Sequence, residues 1–198
     1  MARLRVTVVA LLAVGLTACG GGAAATTTAT SATSAAAGPP AFAWLHPAPP
    51  PPAWALARLQ DTAVLAYPSS WQRVHSDPGS ASAALAERGS DLVTEYLNAT
   101  PQQDEETLQN WAKFRPDHNR EEGDGHVQLL AAARGLQFRD GRGSCVIDRY
   151  RTPRTTYQEI ACLVSGPRGG NVIVAAGLAS RWAQDAPALE RAVSAFLA

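Results

Sequence analysis

The chain has 198 residues, with 17 basic and 17 acidic side chains. That length holds one ordinary domain plus unstructured segments, and the charge balance gives no reason to expect nucleic acid as a partner. The neutrality hides a split: removing the two arginines of the first few residues from 17 leaves 15 bases against 17 acids, and every acid lies at Asp61 or later.

Residues 1–18 read as a secretory leader. Arg3 and Arg5 supply the positive start and Val6 to Leu16 the apolar run. That run is too short to span a hydrocarbon core, which needs roughly 20 residues. Leu16-Thr17-Ala18-Cys19 resembles the bacterial lipobox: an aliphatic residue, two small ones, then the cysteine that receives diacylglycerol. The resemblance implies cleavage before Cys19, lipid on its sulfur, and a chain held on the extracytoplasmic face of the cell membrane without crossing it.

Residues 19–57 read as the lipidated cysteine and a tether. Positions 20–38 contain only Gly, Ala, Thr and Ser, and Pro47-Ala48-Pro49-Pro50-Pro51-Pro52 favours extended polyproline II. Phe42, Trp44 and Trp54 are unusual in a spacer, and dock either on the membrane interface or on the domain. The Thr/Ser tract is a bare spacer or a glycosylated stalk.

The globular domain is expected over 58–198. Ala63 to Tyr67 suggests an early strand stopped by Pro68, and Asp91 to Leu97 another. Thr100, Pro101 and Gln103 have the spacing of a helix cap and capping box, which predicts a helix that Pro116 stops at or before residue 115, with Leu108, Trp111, Ala112 and Arg115 on one stripe. Strands follow at 126–133, 136–139, 144–151, 157–165 and 171–178, and a closing helix at 187–197. Helices set apart from clustered strands argue for an α+β fold with an antiparallel sheet of about five to seven strands.

Cys145 and Cys162 are the thiols left after lipidation, and an oxidising compartment favours their disulfide. Pairing 144–151 with 157–164 so that partner numbers sum to 307 sets Cys145 opposite Cys162, Ile147 opposite Ile160 and Tyr150 opposite Tyr157. The same register sets Asp148 against Glu159, a like-charge pair: either arginines such as Arg134 or Arg149 neutralise it, or a cation sits there, or the register is a different one. A nucleophilic Cys145 with His126 as base is the rival use of the thiol.

Other chemistry finds little support. Ser144 lacks the Gly-x-Ser-x-Gly elbow, since Arg142 and Val146 flank it. His46, His75, His118 and His126 show no metal-ligand spacing, and 117–126 lacks the glycine of a calcium loop, so neither a metal nor another cofactor is expected. Residues 134–154 carry six arginines against Asp140 and Asp148, whereas 104–124 carry seven acids against three bases. The two regions either offset each other or face water, or the basic one meets an anionic partner.

Val64-Leu65-Ala66-Tyr67-Pro68-Ser69-Ser70-Trp71, a strand running into Tyr-Pro-x-x-Trp, together with the late hairpins and a final helix ending Ser194-Ala195-Phe196, resembles the PsbP-like superfamily. That likeness implies an antiparallel sheet between helices, an α/β/α sandwich, and binding or assembly work with no shared catalytic residues. Sixteen arginines against the single Lys113, with abundant Ala, Gly and Pro, fit a GC-rich genome such as an actinobacterial one. The expectation is a non-enzymatic envelope lipoprotein whose partner is an envelope protein or anionic polymer. A carrier of an apolar ligand between sheet and helix is the alternative, and a cell-wall hydrolase a more distant one.

Overall fold

The computed structural model describes residues 40–60, 63–103 and 105–198. Cys19, the residues 1–18 read as a leader, and the Gly/Ala/Thr/Ser tract lie outside the described residues.

Among the described residues, nine strands and two α-helices follow in chain order: β1 Trp54–Arg58, β2 Val64–Pro68, β3 Gln72–Val74, β4 Ala81–Ala86, β5 Val93–Pro101, α1 Trp111–Glu121, β6 Gly125–Gln137, β7 Arg142–Arg151, β8 Thr156–Gly166, β9 Gly169–Leu178 and α2 Trp182–Ala195. β1 and β2 form a hairpin of their own. The other seven make one antiparallel sheet in the order β3-β4-β5-β9-β8-β7-β6. The fold is α+β, as the separated strands and helices imply.

Alternation along β8 assigns its two faces. Ile160, Cys162 and Val164 point into the larger core with Leu189, Ala192, Val193 and Phe196 around α2 and with Leu65 and Tyr67 of the small hairpin. Ala161 and Leu163 point the other way, beneath Trp111 of α1. The sheet is therefore covered on both faces. The Trp111 indole donates to the Ala161 carbonyl at 2.9 Å, so the residue that anchors α1 by burial also satisfies its one polar group.

β7 and β8 pair in the register read from the sequence, with Cys145 opposite Cys162, Ile147 opposite Ile160, Asp148 opposite Glu159 and Tyr150 opposite Tyr157. The connecting loop has four residues, Thr152-Pro153-Arg154-Thr155, closed by Thr152 N–H donating to the Thr155 carbonyl at 2.9 Å. Proline occupies its favoured second turn position there.

The predicted helix beginning at Pro101 is displaced. Thr100 and Pro101 belong to β5 and pair with Val172 and Asn171. After β5 the Gln103 N–H donates to Glu106 Oε2 at 2.8 Å, and α1 starts only at Trp111. Its start is organised by Thr107 and Asn110: Thr107 N–H donates to Asn110 Oδ1 at 2.9 Å and Asn110 N–H to Thr107 Oγ1 at 3.1 Å. Pro116 sits buried inside the helix rather than ending it. A proline in a helix lacks the N–H that would bond four residues back, so α1 forgoes that one bond while keeping the Trp111 anchor. The two strands expected on either side of Gly135 are a single irregular strand, β6, in which Gly135 takes φ +70°.

The expected tether to residue 57 ends earlier. Phe42 is 2% exposed within the main core, Trp44 and Trp54 pack against that core, the Ala48 N–H donates to the Ser194 carbonyl at 3.2 Å, and β1 begins at Trp54. Of the two docking choices for the three aromatics, the domain is the one adopted. Burying large aromatic area outweighs the ordering cost of a proline-stiffened chain, which is small to begin with.

Candidate functional site

Among the described residues, a cluster of buried ionisable groups lies between α1 and the sheet. Arg115 and Asn119, one turn apart on α1, reach down to Asp148 of β7 and Glu159 of β8. Arg115 Nε donates to Glu159 Oε1 at 2.7 Å and its Nη2 to Oε2 at 3.1 Å, a two-pronged ion pair. Asn119 Nδ2 spans both acids, 3.3 Å from Glu159 Oε1 and 3.5 Å from Asp148 Oδ2. Both acids are 0% exposed.

Two carboxyl groups and one guanidinium leave one negative charge too many for a sealed space. Burial first, and the neighbouring Glu159 second, push the Asp148 carboxyl up to about 8, with Arg115 opposing. Asp148 is therefore an uncharged acid at neutral pH. Its Oδ1 has no partner among the described side chains. Tyr150 borders the cluster, its ring tilted against that of Tyr157 with centroids 5.9 Å apart, and burial raises its hydroxyl far above the usual range. The neutralising arginine is Arg115, not Arg134 or Arg149 as the strand register suggests; Arg149 instead donates to Gln158 Oε1 at 2.9 Å.

The remaining sequence candidates do not join this cluster. His126 is an exposed residue at the start of β6 with φ +51°. Ser144 donates its hydroxyl to the Leu108 carbonyl at 2.6 Å, which ties β7 to the turn before α1. Cys145 and Cys162 form a disulfide, with S–S 2.12 Å and Cα atoms 4.1 Å apart, so neither is a free thiol. Among the described residues no group of three His, Cys, Asp or Glu could hold a metal ion, and no helix is long and apolar enough to cross a membrane.

Two features escape sequence reading. On the α2 side, Glu95 and Asp185 face each other where Gly177 leaves room between β9 and the helix. Arg181 Nη2 reaches Asp185 Oδ1 at 3.2 Å, and burial, then Asp185, raise Glu95 to about 7. Glu95 occupies an ordinary inward position of β5, and no local pattern marks it. A groove of about 280 Å³ also runs between the 40–49 segment and α2, with Trp44, His46, Glu190 and Arg191 among its walls. It exists only because that segment packs on the domain.

The acidic and basic regions do not offset each other. Two of the acids around α1 pair with residues of that helix, Asp117 with Lys113 and Arg120, and Glu122 with His118. None of the six arginines from 134 to 154 forms an ion pair among the described residues.

No protein-family model matches the chain, and no curated protein matches it by sequence. Among solved structures, it is similar to the solution structure of cyanobacterial PsbP (CyanoP) from Synechocystis sp. PCC 6803, with 15% identity, a TM-score of 0.52, and coverage of 73% of this chain and 92% of that one. A crystal structure of a protein of unknown function from Pseudomonas aeruginosa matches with 13% identity and a TM-score of 0.47, over 73% of this chain and 96% of that one. The likeness to PsbP is one of architecture: this chain has a PsbP-like fold, a seven-stranded antiparallel sheet between helices.

Proposed function

We propose that the protein is an extracytoplasmic lipoprotein, anchored through lipid on Cys19, whose domain binds or helps assemble a partner of the cell envelope and carries out no chemistry of its own. One observation carries this reading: the side chains that the sequence offers for chemistry are engaged in structure. Cys145 is tied to Cys162, Ser144 to a backbone carbonyl, and the Asp148–Glu159 pair is closed off beneath α1.

The disulfide supports an oxidising compartment, where such bonds persist. The lipobox-like Leu16-Thr17-Ala18-Cys19 supports the anchor. With residues 40–57 packed on the domain, the segment available as tether shortens to 20–39. An apolar-ligand carrier would need open space between α2 and the sheet. That space holds Leu189, Ala192, Val193 and Phe196 in contact with the strands, which favours binding at the surface.

Feeding a labelled fatty acid to the native host tests the anchor. The chain should become labelled and the Cys19→Ala variant should not; equal labelling of both would remove Cys19 from the proposal. Crosslinking in the same cells should capture an envelope component, and a catalytic turnover traced to the purified chain would overturn the non-enzymatic reading.

A further inference from the structure

The turn joining β7 to β8 lies beside the short 3-10 turn Ala179–Arg181 that leads into α2. Between them is a cavity of about 350 Å³ lined by Arg151, Pro153, Arg154, Thr155, Thr156 and Ser180. Two arginines and three hydroxyl-bearing residues thus line one space, and no acid does. Neither arginine forms an ion pair among the described residues, and no hydrogen bond engages the side-chain hydroxyls of Thr155, Thr156 or Ser180 there. Asp91 shares the adjoining cavity with Arg154 across the turn, without pairing with it.

The turn that presents these groups is fixed from within. The Thr152 hydroxyl accepts the N–H of Arg154 at 3.3 Å and of Thr155 at 3.1 Å, and donates to the Thr155 carbonyl at 3.1 Å. The backbone that carries Arg151 and Arg154 therefore needs little ordering when a ligand arrives. Planar guanidinium forks beside hydroxyl donors match a tetrahedral oxyanion, with its several acceptor oxygens, better than any neutral or cationic ligand.

We propose that the cavity between the β7–β8 turn and the start of α2 binds a phosphate group, through Arg151 and Arg154 with hydroxyl donors from Thr155, Thr156 and Ser180. This rests on the reading of the domain as a binding module and names the chemistry of what it binds. The phosphate belongs either to a lipid headgroup or to a soluble phosphate ester.

The test uses the full chain carrying Cys19→Ala, so that lipid on the protein plays no part. Calorimetric titration with inorganic phosphate and with glycerol phosphate is compared with flotation on phosphatidylglycerol and on phosphatidylcholine vesicles. Arg151→Gln with Arg154→Gln should weaken phosphate binding about tenfold or more, whereas Arg134→Gln with Arg142→Gln, the same loss of charge away from the cavity, should change it little. Thr156→Val, which alters no charge, should weaken it about threefold. Arginine-dependent flotation with phosphatidylglycerol assigns the phosphate to a headgroup; arginine-dependent binding of the soluble esters alone assigns it to a free ligand. Equal weakening by the two arginine pairs, or no binding of any probe at about 10 mM, overturns the inference. A chain that binds phosphate here but takes no fatty acid in the host keeps this site and loses the anchor.

Discussion

Arg115 and Glu159, 44 residues apart, meet in a two-pronged ion pair that fastens α1 to the middle of the sheet, with Glu159 fully enclosed and the Arg115 side chain only 13% exposed. Such a pair is asymmetric in its consequences. Replacing it by apolar groups of like size is close to neutral, but removing one partner leaves a charge with no water and no counter-ion. Arg115→Ala should therefore lower the free energy of unfolding by about 3–5 kcal/mol, read from the urea midpoint. Arg115→Met combined with Glu159→Gln should recover much of that loss. A midpoint for Arg115→Ala within about 0.5 kcal/mol of the parent would show that α1 is held by Trp111 alone.

The acid beside that pair makes stability fall as pH rises. Folded Asp148 keeps its proton to about pH 8, whereas in the unfolded chain an aspartate ionises near 4. Between those limits the unfolded state binds fewer protons than the folded state, so unfolding becomes easier with each step up in pH, and the loss is complete once pH passes the folded value. Glu95, raised to about 7, acts in the same direction over a narrower window. Asp148→Asn keeps the shape and removes the titration. Urea midpoints at pH 5, 6.5 and 8 should fall along that series in the parent and fall less in the variant. Parallel slopes would mean that Asp148 is ionised in the folded chain throughout.

What the sequence discloses of this cluster depends on how local the signal is. A strand pair joined by a short turn has one integer of freedom, and three matched pairs (cysteine, isoleucine, tyrosine) pin it, so the confrontation of Asp148 with Glu159 is legible. Its resolution is not, because Arg115 comes from a helix whose rotation and start depend on tertiary packing. Thr100-Pro101 and Thr107-x-x-Asn110 both carry capping chemistry. β5 claims the first because continuing the ladder against β9 to Asn171 satisfies its backbone, and the second starts α1. β3 is three exposed residues and β4 reads Ala-Ser-Ala-Ala-Leu-Ala, which alternates too weakly to announce a strand. The cavity beside Arg151 and Arg154 needs the approach of α2, which no pattern in the turn itself discloses.

The disulfide should be present in the protein isolated from its native host and should matter to its stability. Cys145 and Cys162 are separated by 17 residues, and a loop of that size contributes roughly 3 kcal/mol by restricting the unfolded chain. Thiol labelling of the denatured, unreduced protein should leave both residues unmodified. Cys145→Ala with Cys162→Ala should still fold but should unfold at a lower denaturant concentration by about that energy. Quantitative labelling of both in freshly isolated protein would refute the bond.

The segment from Pro40 to Pro52 tests where the domain begins. Composition makes it a spacer, and a spacer can be altered or removed without effect on folding. Burial makes it part of the core: Phe42 is 2% exposed among residues that include Leu189, Val193 and Phe196, and the Ala48 N–H is tied to Ser194 of α2. Truncating a buried phenylalanine costs about 3–5 kcal/mol through lost transfer energy and the space left behind. Phe42→Ala should therefore lower the urea midpoint by an amount in that range, with the slope of the transition unchanged. The exposed neighbour Ala41→Ser supplies the control and should leave the midpoint where it is. A midpoint unaffected by Phe42→Ala would return residues 40–52 to the tether, and with them the groove that Trp44 and His46 form against α2.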